Sequence, residues 1–104
     1  MPSDQGLSVE VRRSRAAITL VASGALDIAT GPELRVAALA AANGSHSVVL
    51  DLRGVTFVDS SGLGTLLNLR GELRRAGVRL VVEADDGPVR RAIELTGLGE
   101  LLDD

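Results

Sequence analysis

V-V-L-D-L-R-G-V-T-F-V-D-S-S-G-L-G, residues 48–64, passes from one backbone periodicity to another, and the rest of the chain is arranged around that change. Val48, Val49 and Leu50, continued through Leu52, form an apolar run of the kind found in strands covered on both faces, as inner strands of parallel sheets are. Asp59, Ser60 and Ser61 are residue types that cap helices, and Leu63, Leu66, Leu67, Leu69 and Leu73 recur at helical spacing. The serines stand where a sheet hands the chain to a helix.

Gly62 and Gly64 set this junction apart from a plain cap. Each glycine in a helical turn costs roughly 1 kcal/mol relative to alanine, so two so close together oppose the helix they begin. What they offer is bare backbone that another molecule can approach, beside amides and a dipole that leave the helix start partly positive. The junction reads as a docking surface with a hydroxyl at its centre. The alternative is an ordinary Asp or Ser cap beside glycines kept for tight helix–sheet packing.

A chain of 104 residues with 45% apolar content fits one domain, residues 1–104, with residues 1–6 expected as a flexible N-terminus. Its net charge of -3 comes from 14 acidic groups against 11 arginines, with no lysine. That balance, with Phe57 as the sole aromatic residue, argues against general nucleic-acid affinity. The absence of cysteine excludes disulfides and thiol chemistry and suits a cytoplasmic protein. The polar first residues lack the apolar core of a signal peptide, and no apolar run is long enough to cross a bilayer, so no membrane insertion is expected.

Leu7, Val9 and Val11 alternate with Ser8, Glu10 and Arg12, and Ile18, Leu20 and Ala22 alternate with Thr19, Val21 and Ser23. These predict an antiparallel hairpin whose second strand ends at Gly24, with Asp27 in the turn beyond. Thr30 and Glu33 spell a T-x-x-E capping box for a first helix with Leu34, Ala37, Ala38 and Ala41 inward, stopped by Asn43 and Gly44. The central strand is expected over residues 47–52, then a short connection holding Gly54 and Phe57, the latter as a core plug. A second helix over 61–76 ends at Gly77; its Arg70, Glu72, Arg74 and Arg75 read as a solvated face. Residues 78–82 predict a strand parallel to the central one through a right-handed crossover, and a third helix over 88–96 buries Val89, Ala92 and Ile93. Gly97 breaks it, and Leu98, Leu101 and Leu102 pack back on the core.

Serine, aspartate and histidine are all present, but His46 enters the central strand and Ser61 lies beyond its exit, roughly 20 Å away on that strand length. The G-x-S-x-G elbow is missing, since Asp59 stands in the place of its first glycine. The phosphate-binding G-x-x-x-x-G-K-[ST] loop needs a lysine that the chain lacks. One histidine and dispersed carboxylates make no metal site, although Asp27 and Asp59 approach each other if the loops after the second and third strands meet. No enzyme, cofactor or metal is expected. A serine at a helix tip between acidic groups and glycines is instead a protein-kinase substrate, and a phosphate there adds about 1.5 to 2 negative charges. Such a charge blocks an interface built for a neutral hydroxyl without refolding the domain.

The chain resembles the STAS domain, shared by bacterial anti-sigma factor antagonists and the cytoplasmic tails of sulfate transporters. The residues that carry the likeness are G-A-L-D at 24–27, T-G-P-E-L at 30–34, the stretch 48–64 with its D-S-S-G-L-G, and V-R-R-A-I-E-L-T-G-L at 89–98. The resemblance implies an α/β fold: a single STAS domain, its mixed sheet having an N-terminal hairpin and later parallel strands, with helices mainly on one face. It implies that Ser61 is phosphorylated by an anti-sigma factor that is itself a serine kinase of the histidine-kinase-like ATPase type. The unphosphorylated antagonist binds that kinase and frees the sigma factor; the phosphorylated form lets go until a phosphatase restores it. Asp27, Asp59, Ser60, Gly62, Leu63 and Gly64 then line the kinase-facing surface. The family turn is often G-E-L-D, and Ala25 here removes one charge that bears on partner choice. The alternative is a STAS subunit of another assembly, such as a lipid-transport ATPase complex or a stress-sensing particle.

Overall fold

Alternating apolar and polar side chains make β1 (Leu7–Arg13) and β2 (Ile18–Leu26) an antiparallel pair, with Leu7 opposite Gly24 and Arg13 opposite Ile18. This is the expected hairpin in the computed structural model, which describes residues 6–15 and 17–102. Of the flexible terminus expected over 1–6, only Gly6 lies within the described residues. Its carbonyl accepts the Ala25 N–H at 3.0 Å. β2 does not end at Gly24 but runs on to Leu26. Gly24 takes φ 108°, and a Cβ there would lie 2.3 Å from the Gly6 carbonyl oxygen. The glycine admits a close approach of backbone within the strand, and is not a stop signal.

Helix α1 (Gly31–Ala42) lays Leu34, Ala38 and Ala41 on the core as expected, with Ala37 half-buried. It leads to β3 (Ser47–Val58), parallel to β2 and twice as long as the strand predicted over 47–52. Two register shifts explain the difference. The pairing slips between Val21 and Ser23 and again between Gly24 and Ala25, each slip inserting one extra β3 residue without ending the ladder. Gly54, read from sequence as loop, lies in the strand opposite Ser23, where a Cβ would come within 2.8 Å of the Ser23 Cβ and so only glycine fits. The second shift also corrects the reading of Phe57. Val55 points into the core at 6% exposure, the extra residue Thr56 reverses the alternation, and Phe57 stands 50% exposed instead of filling the core.

Helix α2 (Ser60–Arg75) buries Leu66, Leu69 and Leu73 completely or nearly so, each stabilising the fold by roughly 1.5–3 kcal/mol, while Leu67 turns outward. It packs on α1, and the Arg35 guanidinium grips the Glu72 carboxylate through two bonds of 2.8 and 2.7 Å. Strand β4 (Arg79–Glu83) then pairs in parallel with β3, as predicted, so the sheet order is β1-β2-β3-β4. Helix α3 (Pro88–Leu95) buries Ile93 fully, but Val89 and Ala92, expected buried with it, only in part; after a short 3-10 turn over Gly99–Leu101, Leu102 forms a parallel bridge to Val82. The architecture is the expected one: a mixed α/β sheet with an N-terminal hairpin, later parallel strands and helices mainly on one face.

Ile18, Leu20, Ala22, Val48, Leu50, Leu52, Leu80 and Val82 line the buried sheet face. The other face of β3 is covered less completely than its apolar run implied. There Val49 is half-buried, and Asp51 is screened by Arg53, whose Nε and Nη2 donate to its two oxygens at 2.9 and 2.8 Å. Among the described residues no helix is long and apolar enough to cross a membrane.

Candidate functional site

At the C-terminal end of the parallel strands, the loops after β2 and β3 meet as the sequence reading allowed: the Asp59 N–H donates to the Leu26 carbonyl at 3.3 Å. The first loop is folded around Asp27. Its Oδ1 accepts the N–H groups of Ala29 and Thr30 at 2.9 and 3.1 Å, and the residue is only 4% exposed. The Thr30 hydroxyl accepts the Asp27 N–H at 2.9 Å and donates to the Ala25 carbonyl at 2.7 Å. The capping box predicted for Thr30 and Glu33 therefore does not form. The threonine is drawn inward to backbone groups that burial would otherwise leave unpaired, and Glu33 stays exposed. Asp27 thus acts from beneath the surface, shaping the turn that presents Ile28.

The second loop builds the start of α2. Asp59 is its N-cap, in extended conformation, and Oδ1 accepts the Gly62 N–H at 2.9 Å. Ser60 follows, exposed, and Ser61 is partly exposed in the same turn. The Ser61 carbonyl accepts the Thr65 hydroxyl at 3.2 Å, whereas neither serine hydroxyl is hydrogen bonded to another described residue. The turn's backbone is tied by these bonds, and the two hydroxyls are left available.

The two glycines divide between the two readings given them. Gly62 is buried, and a Cβ would meet the Leu26 carbonyl oxygen at 2.5 Å and the Val58 Cγ2 at 2.8 Å, so it serves tight packing of the helix start on the strand ends. Gly64 has nothing within 4 Å of such a Cβ and is open to an incoming surface. Leu63 is partly buried against the core. α1 and α2 touch where a Cβ on Gly31 would fall 2.4 Å from the Thr65 hydroxyl, which locks the two helix starts side by side.

Ile28, 74% exposed, is a feature of this end that the sequence reading missed, together with the outward turn of Phe57. The available signal was an isoleucine off any apolar period, stranded between Asp27 and Ala29. Exposed Asp85 and Asp86 sit in the loop after β4 and make the same end acidic. His46 lies before β3 and Ser61 after it, so a strand of twelve residues separates them, on the order of 30 Å or more and further than the shorter predicted strand implied. Among the described residues, no three His, Asp or Glu side chains gather to hold a metal ion.

The family model described as "Mlab, STAS domain" matches residues 9–103. An anti-sigma-B factor antagonist of Staphylococcus epidermidis is 31% identical over 80 residues, 76% of this chain and 74% of that protein. The crystal structure of an anti-sigma factor antagonist from Mycobacterium paratuberculosis superposes with a TM-score of 0.82 at 29% identity, covering 98% of this chain and 87% of that one. The Bacillus cell fate determinant SpoIIAA in its phosphorylated form shares the fold, with a TM-score of 0.71 at 21% identity over 93% of this chain and 90% of that one. Human sulfate anion transporter 1 is 37% identical over 67 residues, but the chain spans only 10% of that protein's length.

Proposed function

The chain belongs to the STAS family, among its anti-sigma factor antagonists, and from that premise we propose that it is a partner-switching regulator controlled by phosphorylation of Ser61. In the unphosphorylated state it binds an anti-sigma factor serine kinase of the histidine-kinase-like ATPase type and releases the sigma factor that kinase holds. Phosphate on Ser61 ends the association, and a phosphatase resets it, all within the cytoplasm. The protein is a regulatory binding module in this reading, not an enzyme.

The observation that carries the proposal is the state of Ser61: a partly exposed hydroxyl without a described hydrogen-bond partner, on a helix turn whose backbone is pinned by Asp59 and by the packing of Gly62. A kinase needs a reachable hydroxyl in a defined position. A phosphate there brings about 1.5 to 2 negative charges next to the Asp59 carboxylate, whose Oδ1 already accepts an amide. The helix start tolerates the anion. A partner surface shaped for an alcohol does not, because the new charge would be desolvated without a counterion. Exposed Ile28 and Phe57 supply apolar contact at the same end, and Ser60, Leu63 and Gly64 border it. That a protein of this fold, SpoIIAA, is known in a phosphorylated form supports the same reading.

A second reading, a STAS subunit inside a larger assembly, is favoured by the match to a sulfate anion transporter. It gives no use to a reachable serine beside a capped helix start. Incubation with candidate anti-sigma kinases and ATP, followed by peptide mass analysis, separates the two: phosphate on Ser61 is expected. Ser61→Ala should then stay bound to the kinase in the presence of ATP and Ser61→Asp should bind weakly. Phosphate at another residue, or wild-type binding by both variants, overturns the proposal.

A further inference from the structure

The end of the sheet away from Ser61 has the opposite charge. Arg13 closes β1 beside the start of β2, Arg15 lies in the turn that follows, Arg74 is in the last turn of α2, and Arg79 opens β4 opposite Ser47. All four are exposed, and none pairs with a carboxylate among the described residues. Glu100, the acidic group among them, is engaged by Arg70. Basic groups in the last turn of a helix answer its dipole, which accounts for Arg74. It does not account for Arg13, Arg15 or Arg79, which are on a strand end, a turn and a strand start.

Three half-open hollows join these arginines. One of about 370 Å³ is lined by Arg74 and Arg79, one of about 820 Å³ lies in the middle, and one of about 300 Å³ is lined by Arg13 and Arg15. The first two share Val78 and the last two share His46, so they form one groove across the end of the sheet with guanidinium groups at both ends. Its middle is lined by small and apolar groups such as Ala40, Ala76 and Val78. Strands lie about 4.8 Å apart, so a groove across this sheet is roughly 15–20 Å long, the span of five or six extended residues.

We infer that this groove binds an extended acidic peptide segment of a partner protein, its carboxylates meeting Arg74 and Arg79 at one end and Arg13 and Arg15 at the other. Peptide is favoured over nucleic acid because no Phe, Tyr or Trp side chain lines the groove, and a single imidazole, His46, does not make a platform for successive bases. It is favoured over a membrane because the surface is concave and its large apolar lining residues, Ile18, Leu39, Leu80 and Leu101, are buried or partly buried in the domain and do not project to enter lipid. Among the described residues, Gly6 lies beside Ala25 at the far end of β2, and Leu102 pairs with Val82 and not with Arg79. The inference is independent of the role given to Ser61.

Fluorescence anisotropy with a labelled hexaglutamate peptide, at physiological salt, tests it on the intact protein. Saturable binding at one peptide per chain is expected, with hexaglutamine at least about tenfold weaker. Arg79→Glu and Arg13→Glu should each weaken hexaglutamate binding about tenfold, while Arg91→Glu, the same charge change on the exposed surface of α3, changes it less than about twofold. Circular dichroism of each variant checks that the fold is retained, as exposed positions allow. Absence of saturable binding overturns the inference, and so does an equal loss in Arg91→Glu, which marks bulk charge. Tighter binding of a single-stranded oligonucleotide or of anionic phospholipid vesicles through the same arginines overturns it in favour of those ligands.

Discussion

The Asp59 carboxylate accepts the Gly62 N–H at 2.9 Å, which makes the acidic residue beside the candidate phosphoacceptor a structural cap as well as a charge. Removing an N-cap of this kind costs about 1 kcal/mol. Asp59→Ala should therefore lower the melting temperature by roughly 4–8 °C, a shift readable by circular dichroism. Asp59→Asn keeps a capping oxygen and should melt close to wild type. If Asp59→Ala melts with the wild type, the cap does not hold the serine turn in place.

Gly62 and Gly64 should respond oppositely to the same substitution. Alanine gains up to about 1 kcal/mol over glycine inside a helix, and at Gly64 nothing stands in the way, so Gly64→Ala should raise the urea midpoint. At Gly62 the new methyl meets the Leu26 carbonyl oxygen at 2.5 Å, and that oxygen is held by the Asp59 N–H. Overpacking against backbone costs about 1–3 kcal/mol, so Gly62→Ala should lower the midpoint. Two shifts of the same sign would contradict the division of roles. A Gly64→Ala protein that is more stable yet binds the proposed kinase partner less well would show what the open glycine contributes.

How far the sequence could be read follows from how local each signal is. The helix begun by Asp59 and the serines, the alternation in β1 and β2, and the parallel placement of β4 all follow from side-chain periods along one segment, and they stand as predicted. The errors fall where a second segment decides. Gly24 resembles a strand end until Gly6 is seen against it, and Phe57 resembles core until the slip in pairing with β2 turns it out. Thr30 has the spacing of a cap, yet its hydroxyl is claimed by Ala25 and Asp27. At the candidate site, Asp27 and Ser61 were legible as residue types, but their different depths were not. A carboxylate that folds a turn from within and a hydroxyl left reachable look alike in a string of letters.

Asp51 should give the fold an acid-sensitive component. The hydrogen bonds from the Arg53 side chain hold its carboxyl below the usual carboxylate range, against the opposing effect of burial. A depressed value in the folded state means that the unfolded chain takes up the proton more readily. The stabilisation is thus complete above the ordinary value of about 4 and is lost as pH falls through the folded-state value. Urea unfolding of wild type and Asp51→Asn should show a constant stability gap from neutrality down to the ordinary carboxylate range and a narrowing gap below it. A gap that does not change with pH would remove the ion pair from the account of stability.

Phe57 supplies the sharpest test of the β3 register. A phenylalanine truncated in a packed core costs about 3–5 kcal/mol, whereas one half in solvent forfeits only part of that. With 50% of its surface exposed, Phe57→Ser should cost about 1 kcal/mol or less, while Leu20→Ala, on the fully buried row of β2, should cost about 2–5 kcal/mol. Urea denaturation of the two variants side by side measures the difference. A loss at Phe57 as large as at Leu20 would mean that the ring is covered and that the pairing of Ala25 with Phe57 is misplaced. A small loss of stability accompanied by weaker association with the kinase would place the ring in the interface, where an aromatic side chain turned outward by an inserted residue has apolar surface to bury.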